Sequence, residues 1–197
     1  MKPYYQDQSV TIYHGDCRQI VPQLGNFDLL LTDPPYGLGI AANPVRQKHE
    51  KKTWDNSVPP NWFLEYAMHK SGHCIVWGGN YFMLQPSKCF LVWDKEQPQD
   101  FSLAMVEQAW SNLNMPAKMF KKRVISYDKQ HPTQKPVELM QWCINLAGDV
   151  QTILDPFAGS GTTGRAAKDL GKQAVLVEMD EEYCEIAAQR MAQEVLL

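Results

Sequence analysis

Residues 152–164 read TILDPFAGSGTTG. The apolar run 152–154 is expected to be a short strand, and Asp155-Pro156 ends it. Gly159-Ser160-Gly161-Thr162-Thr163-Gly164 then has the spacing G-x-G-x-x-G and leads into a helix that stops before Gly171. A strand that turns into a helix through close glycines lets a ligand lie against bare backbone. The next strand, 173–177, ends at Glu178, about where a carboxylate accepts protons from two ribose hydroxyls. An adenosine-containing cofactor is therefore expected. No lysine follows the glycines, which argues against a loop that cradles nucleotide phosphates. The competing reading is a glycine-rich turn that only packs a helix on a sheet. The glycines alone fit either; the strand, the helix and Glu178 together favour the cofactor.

A dinucleotide fold would continue with more strand–helix units, yet only 19 residues follow Glu178. They suffice for one helix capped by Asp180, with Tyr183, Ile186, Ala187, Met191 and Val195 on its inner face. The missing strands must come from the front of the chain. The expected architecture is an α/β sheet with helices on both faces, circularly permuted, with SVTIY (9–13) beside AVLVE (174–178) and Asp16 near Glu178. Further strands are expected at 27–32, 73–77 and 89–93, with one or two more between 105 and 126. Helices are expected at 18–24, at 62–70 and after HPTQKP (131–136). In the last, Thr133 is the candidate cap, Pro136 sits in the first turn, and Val137, Met140, Cys143, Ile144 and Ala147 form the apolar stripe.

A second strand end carries LLLTDPPYGLG, residues 29–39. Asp33 offers acceptor oxygens, the prolines leave backbone carbonyls without competing N–H groups, and Tyr36 offers a flat face. Such a turn fits a planar group bearing an NH₂. Asp-Pro-Pro is also a strong turn former, and Tyr36 could simply cap a core, so the stretch alone leaves both readings open.

Bulk properties set the frame. The chain has 197 residues, is 44% hydrophobic and 21% charged, and contains no repeat or linker that would split it. One domain spanning 1–197 is expected. No run of about 18 apolar residues occurs and no secretory signal opens the chain, so a cytoplasmic protein without a membrane partner is expected. Five cysteines, none spaced as CxxC, point away from a disulfide framework or a zinc site. A net charge of −3 means that any nucleic-acid contact must be a local basic face.

The two loops together resemble the amino-methylating (N6-adenine/N4-cytosine) DNA methyltransferases. DPPY at 33–36 looks like their catalytic tetrapeptide, and DPFAGSGTT at 155–163 like their S-adenosylmethionine loop. The motif order is similar to that of the permuted β class, and HPTQKPVELMQWCI, WGGNYF, LVWDK and GDC at 15–17 fit the same pattern. The resemblance implies a Rossmann-like S-adenosylmethionine-dependent methyltransferase fold with a seven-stranded mixed sheet and one antiparallel strand. It implies catalytic Asp33, Pro34, Pro35 and Tyr36. It also implies cofactor contacts from Asp16 and Cys17 at the adenine end and Glu178 at the ribose. Asp155, Phe157, Gly159, Ser160, Gly161 and Thr162 would lie around the methionine part, and Thr133, Gln134 and Lys135 would close over it.

By the same resemblance the substrate is double-stranded DNA with a flipped-out base, methylated at N6 of adenine. Members with Ser in place of Asp33 are commoner among the N4-cytosine enzymes. That reading, and a catalytically silent nucleic-acid-binding module of the same fold, are the alternatives. DNA contact is expected within about 38–130, from Arg46, Lys48, Lys51 and Lys52 and from Lys121, Lys122 and Arg123. Such runs can equally be solvated faces. A homodimer and a restriction–modification setting, in a bacterial cell or a phage, complete the expectation.

Overall fold

The computed structural model describes residues 1–37, 58–98, 104–124 and 134–193. Nine strands form one sheet: β1 (Tyr5–Gln6), β2 (Val10–His14), β3 (Phe27–Thr32), β4 (Ser71–Trp77), β5 (Cys89–Asp94), β6 (Val106–Ser111), β7 (Lys118–Lys121), β8 (Thr152–Asp155) and β9 (Gln173–Glu178). Their order is β1-β2-β9-β8-β3-β4-β6-β5-β7. Only β1 and β6 run against their neighbours; every other pairing is parallel. The expected class stands, with nine strands in place of seven. One extra strand is the edge hairpin β1–β2, whose turn is tied by Asp7 Oδ1 accepting the N–H groups of Ser9 and Val10. The other comes from 105–126, which supplies both β6 and β7.

Helices cover both faces, because strands buried on both sides alternate their side chains between two cores. Leu29 and Leu31 point to α3 (Val137–Leu146), α4 (Thr162–Asp169) and α5 (Glu181–Ala192). Leu30 points the other way, to Ile20 of α1 (Cys17–Ile20) and to Phe63, Leu64 and Ala67 of α2 (Asn61–His69). Each such leucine withdrawn from water contributes roughly 1.5–3 kcal/mol. Among the described residues no helix is long and apolar enough to cross a membrane.

The chain closes as its motif order requires. N-terminal β2 pairs in parallel with C-terminal β9, with His14 opposite Glu178, and the Gly15 N–H donates to the Glu178 carbonyl at 2.8 Å. Three local expectations need correction. The helix expected at 18–24 is α1 followed by a 3-10 turn, since Pro22 has no N–H to donate back to residue 18. α3 starts on Pro136 as its N-cap, without a side-chain cap; Thr133 lies outside the described residues. In α5 the buried face is Tyr183, Cys184, Ala187 and Met191 rather than one through Ile186, and Val195 lies outside the described residues.

Candidate active site

Parallel strands deliver their carboxyl ends to one edge of the sheet, where the two loops meet. At the end of β8, Asp155 is 2% exposed and its oxygens are used within the protein. Oδ1 accepts from the Thr32 hydroxyl at 2.8 Å and the Phe157 N–H at 3.1 Å; Oδ2 accepts from the Thr163 hydroxyl at 2.6 Å. Burial pushes its carboxyl up to about 6 against those bonds. Asp155 therefore fastens β3, its own loop and the first turn of α4 together. The third glycine does the packing that the motif leads one to expect: a Cβ on Gly164 would lie 2.6 Å from Leu176 of β9.

Glu178 reaches back over this loop. Its Oε2 accepts the Gly159 N–H at 2.7 Å, and Oε1 accepts from Met179 and Asp180 at the start of α5. Burial raises its carboxyl, and these backbone donors oppose the rise. Asp16 caps α1 through the Arg18 N–H and is gripped by the Arg18 side chain, which lowers its carboxyl. Burial, reinforced by Asp16, pushes the Cys17 thiol up to about 12. Gln134 closes over the loop at Ser160, 3.3 Å away, and accepts from Arg190, which also donates to Thr162.

The turn after β3 is built differently. The Tyr36 hydroxyl donates to Asp33 Oδ1, and the Lys135 ammonium to Asp33 Oδ2. Lys135 is 4% exposed and also lies 2.9 Å from Glu107 Oε2. Burial alone would depress its ammonium, but Asp33 and Glu107 hold it well above the usual lysine range. Burial raises Asp33, with Lys135 opposing; burial would also raise Glu107, but Lys135 and Lys95 win and hold it at about 2. The Tyr36 ring stacks on Tyr81 at 4.8 Å. Gly78 makes room for it: at φ +67° a Cβ there would lie 2.1 Å from the ring.

Both loops open on one cavity of about 730 Å³, a size typical of small-molecule sites. Asp16, Cys17, Asp33, Pro35, Lys135 and Glu178 are all in its lining. Of eight buried polar residues among those described, six line it: Gln134, Lys135, Asp155, Ser160, Thr162 and Thr163. Polar groups are costly to bury, so their concentration here marks a built site.

Sequence reasoning placed Lys135 over the glycine loop; the structure puts it on Asp33 and leaves that loop to Gln134. It missed Glu107 altogether, since a lone glutamate in a strand-like run carries no motif. It also missed Tyr81, although the quoted WGGNYF contains it. Of the basic residues, Arg46, Lys48, Lys51 and Lys52 lie outside the described residues. Lys121 is exposed just beyond the Asp94 end of β5, and Lys122 pairs with Glu138 of α3.

Residues 92–189 match the family model for DNA methylases of the N6_N4_Mtase type. The chain is similar to Type II methyltransferase M2.LlaDCHI of Lactococcus lactis subsp. cremoris, with 31% identity over 143 residues, 71% of this chain and 49% of that protein. It spans about half or less of the length of the curated relatives it matches. Among solved structures, the M1.HpyAVI–SAM complex superposes with a TM-score of 0.60 at 23% identity, covering 93% of this chain and 100% of that one. The PvuII cytosine-N4-specific DNA methyltransferase superposes with a TM-score of 0.69 at 18% identity, covering 100% and 91%. At these identities the likeness is one of fold.

Proposed function

By residues 92–189 the chain belongs to the DNA methylase family, and from that premise we propose that it transfers a methyl group from S-adenosylmethionine to the exocyclic N6 of adenine in double-stranded DNA. The observation that carries the proposal is the shared cavity, with the glycine loop and Glu178 on one side and Asp33 and Pro35 on the other; Pro34 and Tyr36 of the same turn are not in its lining. From β9 to β3 is two strand spacings, about 10 Å, a span that suits a nucleoside bearing a short sulfonium arm. Glu178 and Asp16 would hold the hydroxyl and adenine end. The Asp155 latch would keep Phe157, Gly159 and Gly161 against the methionine part, under Gln134. The cofactor supplies an electrophilic methyl on a positively charged sulfur.

The protein's task is then to make an aromatic amine nucleophilic, because its lone pair is delocalised into the ring. Asp33 and the Pro34 carbonyl would accept the two N–H groups, favour a tetrahedral nitrogen and stabilise the charge that develops on it. A base inside a duplex cannot reach this edge, so it is flipped out. Tyr36, already stacked on Tyr81, forms an aromatic platform for it. Lys121, Lys122 and Arg123 lie at the carboxyl edge of the sheet, four strand spacings or roughly 19 Å from β3, along which a duplex can run.

Incubation with methyl-labelled S-adenosylmethionine and unmethylated DNA, followed by digestion to nucleosides, should place the label on N6-methyl-2′-deoxyadenosine. Label on N4-methyl-2′-deoxycytidine would overturn the choice of adenine. Absence of label would overturn methyl transfer itself.

A further inference from the structure

The charges at the Asp33 turn form a chain that leads away from the cavity. Lys135 Nζ touches two carboxylates, Asp33 Oδ2 and Glu107 Oε2. Lys95 holds the other oxygen of Glu107 from behind. Two anions and two cations thus cancel, with Lys135 buried and the other three side chains partly exposed. Each Asp33 oxygen already carries a donor: Tyr36 is on Oδ1 and Lys135 on Oδ2. Glu107 Oε2, by contrast, is out of solvent and has only the Lys135 ammonium beside it among the described residues. A second carboxylate thus already stands 2.9 Å from the ammonium that lies on the one the substrate needs.

An entering NH₂ group must share Asp33 with these donors or displace one of them. An ammonium left beside it would also repel the positive charge that grows on the attacking nitrogen, strongly so in a low-dielectric pocket. Lys135 cannot simply be released, since an unpaired buried charge is costly. We propose that Glu107 is a positioning residue that takes the Lys135 ammonium from Asp33 when the target amino group arrives, freeing Asp33 Oδ2 to accept the amine N–H. The inference rests on the amino-methylation proposed above. No bond is made and no proton changes owner; the ammonium exchanges one carboxylate for another already in contact, by rotation of its own side chain. Lys95 keeps the receiving carboxylate in place during the exchange.

The test compares single-turnover methyl transfer, with cofactor and DNA prebound, in Glu107→Gln, Glu107→Asp and the double variant Glu107→Gln/Lys135→Gln. Glu107→Gln strands the ammonium on Asp33 and should slow transfer by roughly 10²-fold, while the cofactor Kd stays within about twofold. Glu107→Asp keeps the charge and should recover part of the rate. The double variant removes the obstructing ammonium and restores neutrality, so it should be about tenfold or more faster than Glu107→Gln alone. A merely structural role predicts the reverse, because a second lost partner would harm the fold further. If Glu107→Gln matches the wild type, or the double variant is no faster than the single one, the inference is overturned. Absence of transfer by the wild-type protein would instead overturn the proposed function, and this inference with it.

Discussion

Asp33 and Asp155 look alike in sequence and differ in almost everything else. Each ends an apolar strand, each precedes a proline, and the two strands, β3 and β8, are neighbours in the sheet. Asp155 is satisfied by two hydroxyls and one backbone N–H, with no cation paired to it among the described residues. Asp33 is satisfied by a phenol and an ammonium, both carried on side chains. The first carboxylate is a latch; in the proposed mechanism the second exchanges one partner for the substrate.

The strongest way to break the comparison is to remove Asp33. Asp33→Ala should reduce transfer by at least about 10²–10³-fold, because one acceptor of the target amine is lost and the developing charge is left unstabilised. Cofactor affinity by calorimetry should persist, since the glycine loop is fixed by Asp155. Near-normal turnover would show that Asp33 is a second latch.

Glu178 shares features of both. It clamps Gly159 and, in the proposed function, holds the ribose. Glu178→Ala should weaken cofactor binding roughly ten- to a hundredfold, about 1.5–3 kcal/mol. Three backbone N–H groups also lose their acceptor, so thermal stability should fall as well. Unchanged affinity would move the ribose elsewhere.

Asp155→Asn keeps the shape of the latch and should cost only about 1 kcal/mol of stability at acid pH, with a marked pH dependence. Burial raises the Asp155 carboxyl from 3.8 to about 6, so between those values the folded protein holds a proton that the unfolded chain has lost. Wild-type stability from this group is therefore fully present below about pH 4 and declines as pH rises to about 6, by up to roughly 3 kcal/mol. Asparagine does not titrate. Urea unfolding should show the variant's deficit largest at about pH 4 and shrinking or reversing near pH 7.5. A deficit that grows with pH would make Asp155 a stabilised anion and overturn its upward shift.

The gentlest test lies farther along the same edge and should leave both carboxylates untouched. Changing Lys121, Lys122 and Arg123 to Ala should flatten the slope of log DNA affinity against log salt by about 2, less than three full phosphate contacts, because Lys122 already pairs with Glu138. Cofactor affinity should not change. A wild-type slope would move the DNA path off this end of the sheet.

Much of this protein was legible along the chain because its signals are local. Apolar runs broken by Asp-Pro mark strand ends, and glycine spacing marks a strand–helix turn. The order of the two loops along the chain fits the pairing of β2 beside β9. The partners of the two carboxylates were not legible. Asp155 and Asp33 sit in equivalent local patterns, and nothing in either pattern tells a hydroxyl latch from an ion pair. The deciding groups come from other elements: Thr32 from the adjacent strand, Lys135 from the entry to α3, and Glu107 from β6. Glu107 reaches the site only because β6 runs against β4 and β5, so the first residues of that strand lie where its neighbours end. Strand direction is fixed by long-range pairing rather than by residue type, which is why the sequence alone placed the loops and only the assembled sheet placed the charge between them.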